Sequence, residues 1–135
     1  MPSEEELMAA ASEWDEAIVA VATLRQRNGD DDGAVEVLWA AFDAGNEMVG
    51  TPLGLLLENL GREQEAREIY RRSWEGGDAF SAFNLGLLHE ESGEMNEAVL
   101  WVRRAASGGD RHARRWLSRR RRAAKRAKRE GESGR

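Results

Sequence analysis

Apolar residues recur near the start of the chain at Leu7, Ala11, Trp14, Ile18, Val21 and Leu24, in steps of three and four that gather on one helical face. Ser3 followed by Glu6 has the spacing of a capping box. A helix is therefore predicted from about residue 4 to about Arg27, unless Ser12 opens a second one. Further on, a helical apolar pattern stops at Gly61, and a second one runs to Gly76-Gly77-Asp78. The same signals return at Gly93 and at Gly108-Gly109-Asp110. Each pair of patterns reads as a helix hairpin.

The two hairpins are one 32-residue unit written twice: residues 45–76 and 77–108 agree at 12 of 32 positions, including Leu53-Gly54-Leu55-Leu56 with Leu85-Gly86-Leu87-Leu88. In each, a glycine of the first helix and an alanine of the second stand 12 residues apart, Gly54 with Ala66 and Gly86 with Ala98. Small residues at this spacing predict the closest crossing of the two helices. Shifting back by 32 places Ala22 under Gly54 and Ala34 under Ala66, so residues 13–44 are a degenerate first repeat. After Asp110 the pattern restarts with Leu117 and Ser118 and no second helix follows. Ala113, Trp116 and Leu117 then form the apolar patch of a cap.

Leu85-Gly86, Gly93, Glu97-Ala98 and the aromatic Trp101 resemble the signature of tetratricopeptide repeats. The ending Arg103-Arg104-Ala105-Ala106-Ser107-Gly108-Gly109-Asp110 is similar to Sel1-like repeats, a sister family. The units lack both the longer inner loop of Sel1 repeats and the proline of tetratricopeptide repeats, so the pattern fits neither subfamily alone. The resemblance covers about residues 13–118. It implies an all-α fold, a short right-handed superhelix (α-solenoid) of about three helix-turn-helix repeats with a C-terminal capping helix. The expected organisation is a helix start at 1–12, repeats at 13–44, 45–76 and 77–108, a cap at 109–118 and a basic extension at 119–135.

Three local features qualify this reading. Asn28-Gly29-Asp30-Asp31-Asp32-Gly33 matches the start of a calcium loop, but the twelfth place holds Trp39 instead of glutamate, which leaves a polar turn before a helix. Thr51-Pro52 predicts a helix start with Thr51 as cap, shortening that helix to about 52–60 or bending it. Trp14, Trp39, Trp74, Trp101 and Trp116 all fall on helical patterns, where packing between hairpins is the expected role.

Charge divides the chain more sharply than its net value of -5 suggests. Residues 1–110 hold 8 basic and 23 acidic side chains, whereas residues 111–135 hold 12 basic and 2 acidic. An acidic body thus carries a basic tail, with Arg115, Arg119, Arg120, Arg121, Arg122, Lys125, Arg126, Lys128 and Arg129 as candidate polyanion contacts. Repulsion along this run predicts a fraying helix and a disordered end at 130–135. There is no cysteine, and the acidic N-terminus has no signal-peptide pattern, so a cytoplasmic location is the default expectation. No apolar run suits a membrane span.

Catalysis finds little support. His89 and His112 are isolated from any motif, and neither a phosphate loop nor a nucleophile elbow is present. No catalytic, cofactor or metal site is expected.

The tetratricopeptide resemblance instead implies a groove lined by first helices. Its matching positions are Glu16, Val19, Ala20 and Thr23, then Met48, Thr51, Leu55, Glu58 and Asn59, then Phe80, Phe83, Asn84, Leu87, Glu90 and Glu91, and last His112, Arg115 and Arg119. Asn84 falls where clamp-type members hold a peptide carboxylate, but the clamp's cationic places are Val19 and Thr51. An apolar floor with acidic edges suits a hydrophobic, positively charged peptide. The expected function is a protein-interaction scaffold. A nucleic-acid or polyanion adaptor is the alternative, and docking of one copy's tail on another's acidic body is a third.

Overall fold

The computed structural model describes residues 1–134. The side chains of Glu4 and residues 7–12 lie outside that description, and the expected apolar positions Leu7 and Ala11 fall among them. Among the described residues the chain is all-helical: α1 Glu4–Arg27, α2 Asp31–Asp43, a 3-10 turn Glu47–Val49, α3 Gly50–Asn59, α4 Glu63–Glu75, α5 Ala79–Glu91, α6 Met95–Ser107 and α7 Arg111–Ser133. The helices form two compact units, Met1–Tyr70 and Arg71–Arg135, with the boundary inside α4 and so inside the 45–76 repeat.

The helices are punctuated by one device. Glycines 29, 45, 61, 77, 93 and 109, spaced every 16 residues, all have φ between 74° and 105°. At Gly61 this left-handed turn lets Arg62 N–H donate to the Leu57 carbonyl at 2.8 Å, capping the end of α3. A β-carbon at position 61 would meet no atom within 4 Å, so the backbone, not space, demands glycine there. The sixfold recurrence makes the helix, rather than the hairpin, the smallest repeating element.

Side-chain caps define the other ends. Ser3 Oγ accepts from Glu6 N–H at 3.2 Å and Ser3 N–H donates to Glu6 Oε2 at 3.0 Å, completing the predicted capping box. Asp30 accepts from Gly33 N–H at 2.9 Å, so the Asn28–Gly33 segment serves as the helix start expected of a polar turn. Asp78 and Asp110 cap α5 and α7 in the same manner.

The start of α3 differs from the expectation. Asn46 accepts from Met48 N–H, the 3-10 turn follows, and α3 begins at Gly50, so Thr51 is not the cap. Pro52 then sits in the first helical turn, where a missing N–H costs no hydrogen bond. At the other end α7 continues to Ser133, past the fraying and disorder expected for 130–135. Arginine, lysine and alanine are strong helix formers, and over this length their propensity outweighs the repulsion of neighbouring charges.

In the first unit, α1 packs on α2 and α2 on α3, around Ala34, Leu38, Val49, Leu53, Leu57, Ile69 and Tyr70. In the second, α5 packs on α6 and α6 on α7, around Ala82, Leu85, Ala98, Val102, Ala105 and Ala113. The predicted glycine–alanine crossing is only part of the contact. A β-carbon on Gly54 would strike the Tyr70 ring at 2.3 Å, and one on Gly86 would meet Val102 Cγ2 at 2.7 Å and the Ala98 carbonyl at 3.2 Å. The residue 16 places onward therefore fills the space above each glycine. The tryptophans divide as well: Trp74 and Trp101 pack edge to face at 5.0 Å, while Trp14 is 70% exposed and does not act as core.

Candidate functional site

On the first unit, α1 and the 3-10 turn line an open groove of about 550 Å³ with Asp15, Glu16, Val19, Ala20 and Met48. Glu16, Val19, Ala20 and Met48 were expected to share a face. Asp15 was not, and it accepts from Asn46 Nδ2 at 2.6 Å, which pins the turn to α1. Met48 is 74% and Leu55 46% exposed, so both offer apolar surface to solvent. Glu58 behaves differently: its carboxylate accepts the hydroxyl of buried Tyr70, giving it a structural partner. Burial, reinforced by that carboxylate, raises the Tyr70 hydroxyl pKa above the ordinary tyrosine value.

The second unit gathers a denser constellation. Phe80, Phe83, Asn84 and Leu87 stand three and four residues apart on α5, hence on one face. Phe80 and Phe83 stack at 6.3 Å, and the His112 ring of α7 lies 5.6 Å from Phe80 and 5.9 Å from Phe83. Phe80 is 36% exposed, and Phe83 and Leu87 are half-buried. Asn84 is only 8% exposed, yet its Nδ2 has no hydrogen-bond partner among the described residues. One turn further along, Glu90 Oε2 accepts from Trp116 Nε1 at 3.0 Å, while Glu91 is exposed. Sequence reasoning missed the Trp116 contact, because the pairing spans 26 residues and two helices.

The basic candidates all lie on α7, and every residue from 118 to 134 is exposed. Arg120 stands apart from the others, with its guanidinium 5.6 Å over the Trp116 ring. Among the described residues no group of three or more histidine, aspartate or glutamate side chains is arranged to hold a metal ion. No helix of the described residues is long and apolar enough to cross a membrane.

A family profile described as "Tetratricopeptide repeat" matches residues 53–73, from the middle of α3 through most of α4. The chain carries tetratricopeptide-like helical repeats. A solved structure titled "Crystal structure of MamA" superposes with a TM-score of 0.61 at 21% identity, over 73% of this chain and 60% of that one. The chain thus spans 60% of that structure's length, and the likeness is one of fold: an α-solenoid of helix hairpins. No curated protein matches the sequence. Tetratricopeptide-like repeats of this kind support a general role as a protein-interaction scaffold.

Proposed function

We propose that the α5–α7 face of this scaffold binds an extended peptide carrying an apolar anchor and a positive charge. The observation that carries the reading is the Asn84 amide, a buried donor without an acceptor. An orphaned buried donor costs about 1–3 kcal/mol. The Asn84 Nδ2 atom is itself closed to solvent, so binding requires the side chain to turn outward onto a docked peptide carbonyl, which would remove that cost. Phe80 and Phe83 beside it offer partly exposed rings to an apolar side chain, which gains about 25 cal/mol for each Å² it buries. Glu90 and Glu91 supply negative charge at the far end of the same helix. The Glu90 carboxylate stays accessible to a second donor, since a carboxylate accepts more than one hydrogen bond.

The test is selection of a random peptide library on the full-length protein, followed by binding of the enriched peptides to Phe83→Ala and Asn84→Leu. Enrichment of sequences with a large apolar residue next to lysine or arginine, and loss of binding in both variants, is the expected result. Absence of enrichment, or equal binding by the variants, would refute the assignment.

A further inference from the structure

The division of the chain also separates its charge. Residues 1–70 hold 4 basic and 16 acidic side chains, a net of -12, while residues 71–135 hold 16 basic and 9 acidic, a net of +7. Within the second unit 11 of the 16 basic side chains lie on α7, and their arrangement is regular. Arg115, Arg119, Arg122, Arg126 and Arg129 follow one another at four, three, four and three residues, which lays them along a single stripe of the helix. The side chains of Arg122, Lys125, Arg126 and Arg129 border a shallow hollow of about 330 Å³ on that side. The opposite side carries Ala113 and Leu117 where α7 is packed, and further along Ala124 and Ala127 alternate there with Arg120, Arg121 and Lys128, so the stripe is the most regular line of charge but not the only charged side.

We infer that the exposed half of α7 is an arm that tracks the phosphate backbone of a duplex nucleic acid without reading its sequence. Linear charge density selects this ligand. From Arg119 to Arg129, 8 of 11 residues are arginine or lysine, and at about 1.5 Å of rise per residue they present one positive charge per about 2 Å. Duplex nucleic acid carries one negative charge per about 1.7 Å of its axis. Carboxylates scattered over a folded protein surface do not offer that density along one axis. The helix runs unbroken from Arg111 to Ser133, so the arm does not turn back along its own axis to neutralise itself.

The chemistry of the arm sets what it can do with such a ligand. It has no aromatic ring beyond Trp116 and no apolar side chain larger than alanine beyond Leu117, so it supplies neither stacking for bases nor a wedge for a bilayer. What remains is counterion release, which makes binding independent of base sequence and steeply dependent on salt.

The experiment measures binding of the full-length protein to labelled 30-base-pair duplexes of two unrelated sequences by fluorescence anisotropy between 50 and 200 mM NaCl. A companion chain carries Arg122→Gln, Lys125→Gln, Arg126→Gln and Arg129→Gln. Glutamine keeps helix propensity, and all four positions are exposed, so the fold is retained. The expected result is equal affinity for the two duplexes, with log Kobs falling against log [NaCl] at a slope of about -4 to -5 for five stripe contacts. The quadruple variant should bind at least tenfold more weakly at 50 mM, with a slope shallower by about 3. No binding at 50 mM, or unchanged binding by the variant, overturns the inference. So does a wild-type protein that sediments as a dimer at 50 mM without nucleic acid and as a monomer when the four charges are removed, because the arm's ligand is then a second copy of this chain.

Discussion

The Tyr70 ring occupies the volume that a side chain at position 54 would need, with Tyr70 Cε1 2.3 Å from where a β-carbon on Gly54 would stand. Tyr70 is fully buried, and its hydroxyl is held by Glu58, so the ring has no free direction in which to yield. Gly54→Ala is therefore an overpacking substitution, expected to cost about 1–3 kcal/mol. Urea unfolding followed by far-ultraviolet circular dichroism measures the loss. Gly131→Ala is the control: its β-carbon would meet nothing within 4 Å and alanine favours the helix, so it should not lower the midpoint.

Tyr70 is the sole tyrosine of the chain, so its ionisation is read directly by absorbance. Burial first, and the Glu58 carboxylate second, raise its folded pKa above the unfolded value. The folded state then holds the proton more tightly, and the contribution to stability is complete below the ordinary tyrosine value of about 10. It declines as the pH climbs above that value, where the unfolded chain ionises first. A pH titration should show tyrosinate appearing only together with unfolding. Free ionisation of the folded protein near pH 10 would contradict the assignment.

Gly61 tests the turn device. With φ at +74° and open space around the missing β-carbon, Gly61→Ala strains only the backbone. The expected cost is about 1–2 kcal/mol, measurable as a lower denaturation midpoint. Arg62 N–H should keep its bond to Leu57 and the helix content should not change.

Trp116 and Glu90 couple α7 to α5 through one charge-assisted hydrogen bond of 3.0 Å. Trp116→Phe retains most of the apolar body and removes the donor, with an expected loss of about 1.5–3 kcal/mol. A double-mutant cycle with Glu90→Ala, which removes the acceptor, isolates the pair. Additive losses would show that the hydrogen bond does not couple the two helices.

Much of this architecture was legible because it is written in backbone signals. Ser3 with Glu6 announced the first cap, and the glycines ending each helical pattern announced the turns. The 32-residue comparison nonetheless concealed the 16-residue beat, because successive helices 16 residues apart share little besides the glycine that ends them. Thr51-Pro52 misled for a physical reason: a good start signal lost to an earlier one, once Asn46 took the Met48 N–H and nucleated the turn. Tyr70 over Gly54 was not legible either. Which residue fills a gap at a helix crossing depends on the crossing itself, and alanine at the nearer spacing is the simpler guess. Asn84 could be placed on the α5 face by its spacing, but that its amide is buried without an acceptor is a property of packing. Trp14 shows the converse, an aromatic on a helical stripe left facing solvent near the chain's start.

The most direct measurement of the central claim is calorimetric titration of a library-selected peptide into the full-length protein and into Asn84→Leu, each at 50 and 300 mM NaCl. If the α5–α7 face is the binding site, the variant should lose at least tenfold in affinity, because the selected carbonyl loses its donor while the fold retains a side chain of similar size. Affinity should change less than about threefold with salt, as suits an anchor set by Phe80 and Phe83 rather than by charge. Equal affinity of the two proteins, or binding that vanishes at 300 mM, would contradict the account and move the interaction away from this face.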